Sequence, residues 1–188
     1  NTAVNVGGAI HWYGEYGALS NSTFINNTAS QYGGAIIWWG DNGAVSNSTF
    51  INNTAEYGGA IFWKGINGAV SNSTFNNNTA RANGGAVRWE SENGTISNST
   101  FNNNNAEYGG AIRWSHANGT ISNSTFNNNT AEHGGAIRWE SENGTISNST
   151  FNNNTAKYSG GAVRWDGENG TISNSTFINN TAEYGGAI

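Results

Sequence analysis

Three phrases recur together along the whole chain, and their spacing leaves room for few folds. Gly-Gly-Ala-Ile/Val begins at residues 7, 33, 58, 84, 109, 134, 160 and 185. The Phe of Ser-Asn-Ser-Thr-Phe falls at Phe24, Phe50, Phe75, Phe101, Phe126, Phe151 and Phe177. A Trp recurs at Trp12, Trp38, Trp63, Trp89, Trp114, Trp139 and Trp165. Every series steps by 25 or 26, and all take the longer step together. The extra residue always lies just before Gly-Gly: Ser30-Gln31-Tyr32, Arg81-Ala82-Asn83 and Lys157-Tyr158-Ser159 stand where other repeats have two residues, such as Glu56-Tyr57. An insertion confined to one place reads as a turn that bulges without disturbing the coil. A fixed period in this range marks units that bury an apolar face only by stacking on their neighbours. Residues 1–188 therefore read as one array of seven coils.

Helices do not suit these coils. Gly-Gly and Asn-Gly punctuate each one, and the Asn, Ser and Thr between them favour turns over helix interiors. The remaining segments are short and alternate with period two, as strands do. In Ala111-Ile112-Arg113-Trp114-Ser115 the residues flanking Trp vary between coils while Ile and Trp hardly do. Ile112 and Trp114 are thus expected to point inward. The same reasoning sends Ile121 in and Thr120 and Ser122 out, with Phe126 as a third inward anchor. The Trp and Phe series become a structural core ladder. The Asn of Ser-Asn-Ser-Thr (Asn47, Asn98, Asn123) shares the parity of the inward Ile, which predicts a buried Asn ladder.

Short strands on a 25-residue period give an all-β parallel β-helix with two or three strands per coil, each pairing one coil along at ~4.8 Å. Seven coils make a rod roughly 34 Å long. The entropy lost in ordering one coil exceeds what its few large side chains return on burial, so stability must come from stacking. Right-handed coiling is expected, since parallel crossovers overwhelmingly take that hand.

Phe24-Ile25-Asn26-Asn27 followed by Gly33-Gly34-Ala35-Ile36 resembles the repeats of chlamydial polymorphic outer-membrane proteins. It is equally similar to the adhesin-like surface proteins of methanogenic archaea. The likeness extends to every coil, through Phe101, Asn104 and Gly109-Gly110-Ala111-Ile112 to Phe177, Asn180 and Gly185-Gly186-Ala187-Ile188. It implies a right-handed β-helical stalk displayed at the cell surface or outside the cell, in many cases serving adhesion. This chain lacks the Cys of the chlamydial family and is more uniform between coils.

Composition narrows the function. Seven Lys and Arg against twelve Asp and Glu give a formal charge of −5, which does not make the basic face of a nucleic-acid binder. No apolar run reaches the ~18–20 residues of a membrane helix, so no membrane insertion is expected of this chain. Without Cys there is no disulfide and no thiolate metal site. His11, His116 and His133 are not equivalent and lack metal spacing, so they read as solvated surface. No metal or cofactor is expected. A catalytic carboxylate pair needs two unlike environments, whereas Arg88, Glu90 and Glu92 recur as Arg138, Glu140 and Glu142 and again as Arg164, Asp166 and Glu168. Those charges read as a surface ion-pair network rather than a catalytic site or a calcium ladder, and the chain as no enzyme.

Three surface features remain. Seventeen Asn-x-Ser/Thr sequons occur; the exposed turns at Asn93, Asn118, Asn143 and Asn169 are the candidate N-glycosylation sites. Tyr13, Ile37, Trp39 and Phe62 place apolar groups on the expected outer face, a candidate contact patch. Thr95/Ser97, Thr120/Ser122, Thr145/Ser147 and Thr171/Ser173 form outward columns of the kind that meet glycan or ice. The sequence starts and stops within a repeat, so the expectation is a section of a longer solenoid or a filament subunit. Its expected partners are further copies, end to end or laterally, and a host or neighbouring-cell surface.

Overall fold

A residue with φ near +50° cannot continue a strand, and Asn is among the few non-glycine types that adopt it readily. In the computed structural model, which describes residues 1–188, such residues set the corners of every coil. The columns beginning at Asn21, Asn26 and Asn42 have φ of 47–50°, 50–55° and 53–60°. The first Gly of each Gly-Gly makes the fourth corner, at 60–67°.

Four corners leave four straight segments, one more than the sequence predicts. The Trp sheet has seven strands from Ile10–Trp12 to Val163–Trp165. The Ile sheet runs from Ala18–Ser20 to Thr171–Ser173, and the Phe sheet from Thr23–Ile25 to Thr176–Ile178, each with seven strands. The fourth, Ala sheet is broken into a four-stranded part (Thr2–Ala3, Thr28–Ala29, Thr54–Tyr57 and Thr79–Asn83) and a two-stranded part (Thr130–His133 and Thr155–Ser159). All pairing is parallel, and the inward columns set like residue on like: Trp89 on Trp114, Ile96 on Ile121, Phe101 on Phe126. Two of the three extra residues lie inside strands of the Ala sheet, as bulges at Arg81-Ala82 and Lys157-Tyr158, and the third, at Ser30-Gln31-Tyr32, follows the strand Thr28–Ala29. In the first two a bulge, not a turn, absorbs one residue while the ladder resumes beyond it.

The interior is built from columns. Successive Trp rings stand 4.6–4.9 Å apart with planes within 4°. The Phe rings stand 4.7–5.0 Å apart, within 7°. Trp38 to Trp139 and Phe50 to Phe151 are fully buried in one continuous core with the inward Ile, Val and Ala, and Trp12, Trp165 and Phe177 are half-buried at its ends. Each indole lies flat against the Gly of the Asn-Gly corner. A methyl on Gly94 would sit 2.3 Å from Trp89 Cε2, so this Gly is required by the Trp.

The buried Asn ladder exists, but not where parity predicts it. Asn47, Asn98 and Asn123 are exposed left-handed corners, because a residue with positive φ breaks the in-out alternation. The buried column is instead the Asn of Phe-x-x-Asn: Asn27, Asn53, Asn78, Asn104, Asn129 and Asn154. Asn104 Nδ2 donates to Phe75 O at 3.0 Å and to Asn129 Oδ1 at 3.0 Å. Its Oδ1 accepts from the backbone N and Nδ2 of Asn78, at 2.9 and 3.1 Å. All four bonding positions of the amide are filled. At the neighbouring corner the inward Ser does a similar job: Ser73 Oγ accepts from Ser48 N and donates to Ser71 O.

Candidate functional surface

The sequon phrases follow from these corners. Asn-Ser-Thr and Asn-Asn-Thr each combine a left-handed Asn, an inward hydrogen-bonding residue and an outward Thr opening the next strand. Every sequon Asn is exposed, including Asn93, Asn118, Asn143 and Asn169. At the Asn-Gly corner the amides also bond along the rod: Asn93 Nδ2 donates to Asn67 Oδ1 at 3.2 Å, and Asn118 Nδ2 to Asn93 Oδ1 at 3.1 Å.

The outer face of the Trp sheet carries the greatest chemical variety. The expected patch of Tyr13, Ile37, Trp39 and Phe62 holds only in half. Ile37 is 0% and Phe62 2% exposed, against 68% for Tyr13 and 39% for Trp39. The residue before Trp points away from the core but is covered by the residues preceding Gly-Gly: Tyr32 packs edge-on against Phe62 at 4.7 Å and stacks on Tyr57 at 5.3 Å. A second, smaller apolar cluster thus sits outside the tube. The two sides of Trp39 are taken by Tyr13, 6.1 Å away and nearly parallel, and by the Lys64 ammonium at 5.0 Å.

From the third coil onward the same columns become charged. Lys64 pairs with Glu90 at 3.6 Å and Arg88 with Glu90 at 2.6 Å, and Arg88 also reaches Ser115 Oγ. Arg113 and Arg138 both hold Glu140, at 2.7 and 2.8 Å. Arg138 and Arg164 hold Asp166, at 3.4 and 2.9 Å. Ion pairs expected from sequence are therefore present, in two groups that Ser115 joins by hydrogen bonds to Arg88 and Glu140, while Glu92, Glu142 and Glu168, included in the same expectation, pair with no cation. Burial, and then neighbouring Arg113, lower the pKa of the Arg88 guanidinium from its ordinary value.

His133 is not solvated surface. It stacks on Tyr108 at 5.5 Å, lies 5.2 Å from the Tyr158 ring, and its Nδ1 lies 2.9 Å from both Arg164 Nη1 and Ser159 Oγ. Burial first, and the positive charges of Arg164 and Arg138 next, hold its pKa below the usual value. Sequence reasoning missed the Tyr32, Tyr57, Tyr108 and His133 column. The signal was there, since an aromatic precedes Gly-Gly in most coils.

Concavity is limited. An open groove of about 560 Å³ follows the broken Ala sheet, where Asn105 stands in place of the usual Thr, lined by Arg81, Asn105, Glu107, Glu132 and Lys157. Lys157 and Glu132 are 3.8 Å apart across it. No three His, Asp or Glu side chains are gathered as metal ligands, and no helix is long and apolar enough to cross a membrane.

Parallel sheets wound into a tube, with like side chains in register from coil to coil, define the parallel β-helix class of solenoid. A family model described as the right handed beta helix region matches residues 1–116 and 59–188. The chain belongs to this family, and its coil has the right hand that the sequence predicts. No curated protein and no solved structure matches the chain significantly.

Proposed function

We propose that the chain is a rigid rod segment of an extracellular stalk or filament whose service is spacing and contact between surfaces. The observation that carries this reading is uniformity. Seven coils keep one register in three sheets, and the charges on the Trp face pair with one another along the axis instead of converging on a cleft. Such a molecule acts through length and stiffness, with its side chains spent on holding the next coil. The likeness to chlamydial and archaeal surface repeats supports a place outside the cell and a part in adhesion.

The exposed Asn-Gly-Thr corners at Asn93, Asn118, Asn143 and Asn169 are proposed as glycan attachment points. With coils only ~4.8 Å apart, one column carries glycans at alternate or sparser coils. The experiment is electron microscopy of native material. Straight fibres with an axial repeat near 4.8 Å and side density at these corners support the reading. Short discrete particles that never extend beyond seven coils overturn the filament.

A second reading, a module whose outward Thr and Ser columns bind glycan or ice, rests on one observation. No Thr hydroxyl in the chain makes an intramolecular hydrogen bond. Replacing Thr120 and Ser122 by bulky residues should abolish ice activity under this reading and leave a rod intact under the first.

A further inference from the structure

Charge is confined to one side of the rod. All seven Lys and Arg, all twelve Asp and Glu and the three His fall outside 17–29, 43–55, 68–80, 94–106, 119–131, 144–156 and 170–182. Those segments are the Ile sheet, the Phe sheet, the corners between and beside them and the opening Thr-Ala of the Ala strands. Half of each coil therefore presents only Thr, Ser, Asn, Ala and a few Ile, while the rest of the Ala strands, the Trp sheet and the turns that flank it carry the whole charge of −5.

The outer face of the Phe sheet is the most regular part of that neutral side. One column is Thr in all seven coils: Thr23, Thr49, Thr74, Thr100, Thr125, Thr150 and Thr176. Beside it, Asn102 Nδ2 donates to Asn76 Oδ1 and Asn127 Nδ2 to Asn102 Oδ1, both at 2.9 Å. Each amide in that ladder keeps a second N–H and a second lone pair, and each Thr hydroxyl is free. Ile25 and Ile51 on one side and Ile178 on the other flank the amides in the same column, with Ile25 and Ile178 exposed.

The geometry points to this face as a lateral contact between two copies of the chain, which rests on the proposed rod and assigns the surface by which rods associate. Two arguments lead to a second copy. Neutrality permits it: this face meets its own copy with no like-charge repulsion, whereas the charged side carries the unpaired carboxylates Glu92, Glu142 and Glu168, and juxtaposed like charges cost several kcal/mol. Register selects it over other neutral partners. Side chains recur at the rise of one coil, so a partner of different period drifts out of step within a few coils. A second copy has the same period by construction, and amide and hydroxyl ladders then meet their counterparts along the whole length. The sheet offers roughly 340 Å² per copy, from three residues by seven strands, below the ~800 Å² of a standard stable interface. Pairing of seven coils is thus weak and concentration-dependent, and it strengthens with every coil added.

The test uses the absence of Cys. In a twofold arrangement of antiparallel rods the central coil meets itself, so Thr100→Cys is expected to form a disulfide-linked dimer under mild oxidation, and Glu92→Cys on the charged side is not. Sedimentation should show a concentration-dependent rise in mass. Thr74→Lys with Thr100→Lys and Thr125→Lys should weaken association by more than about tenfold, which is 1.4 kcal/mol, whereas lysines at Glu92, Glu142 and Glu168 should not. A chain that stays monomeric at millimolar concentration overturns the contact, as does equal crosslinking of both Cys variants or inhibition of ice growth by the monomer through these Thr. Should the triple variant fail to fold, the single Cys pair decides alone. Isolated straight rods in the microscope with no lateral pairing would sink this contact and leave the rod standing; no rods at all would sink the rod.

Discussion

Two neighbouring asparagines, Asn103 and Asn104, differ in almost everything that decides stability. Asn103 is an exposed corner whose left-handed backbone is its contribution. Asn104 is fully buried and uses every hydrogen-bonding site it has. Asn104→Ala strips the side-chain partner from two donors on Asn78 and from Phe75 O, while Asn129 Oδ1 keeps the Asn104 backbone N–H, and is expected to cost about 2–4 kcal/mol, since a buried unsatisfied group costs about 1–3. Asn103→Gly, which keeps the φ, is expected to change stability by only a few tenths. Urea denaturation of the pair checks both. His133 supplies a pH dependence. Its folded pKa lies below the unfolded value, so the unfolded chain takes up the proton first as pH falls through about 6.5. Stability is then lost on acidification, and no contribution remains at higher pH where both states are neutral. His133→Tyr, the residue at the equivalent Tyr108, should flatten the fall in melting temperature between pH 7 and pH 5.

Strands of three residues are held straight by the corners on either side, so the elements fail at their ends. Gly94→Ala places a methyl against the Trp89 indole and is expected to displace that ring from the column, read as a change in Trp fluorescence and a lower melting temperature. Much of this level was legible in the sequence. Identical residues at identical spacing gave the inward Ile, Trp and Phe columns correctly, because alternation inside a strand is a local rule. Parity failed across corners: one left-handed Asn resets which residue faces in, so Asn27 and its equivalents, not Asn47, line the interior. Exposure of the outer flank also misled. Ile37 and Phe62 do point outward, but Tyr32 and Tyr57 come from a different sheet, and no rule of local spacing brings them over. The charged part of the face was readable, since Arg88, Glu90 and their repeats carried their counter-charges at fixed offsets.

At the scale of the molecule the coil is the unit, and each coil contacts only its neighbours. Removing Asn118–Glu142 takes out one complete period and rejoins equivalent corners, with Asp166 placed to receive Arg113 in place of Glu140. The shortened chain is expected to fold, with its long axis reduced by about 4.8 Å in small-angle scattering. A collapsed or unfolded product would show that stability is not a sum over neighbouring coils. In the ion-pair ladder the more exposed members, such as Lys64–Glu90, are worth about 0–1 kcal/mol each, whereas Arg88 is buried and loss of Glu90 would leave its charge without its partner. The core columns and the Asn and Ser ladders carry the stack.

The winding of the chain around its axis also sets what happens under load. A pull along the rod is borne by the inter-coil hydrogen bonds acting side by side, while the covalent chain lies nearly at right angles to the force. A coil advances the axis by about 4.8 Å, yet its 25 residues span about 85 Å when drawn straight. Each coil that peels away lengthens a tethered rod by about 80 Å and dissipates the work of opening one interface, while the coils behind it stay wound. A stiff spacer of this design is thus also a reserve of slack, released one turn at a time.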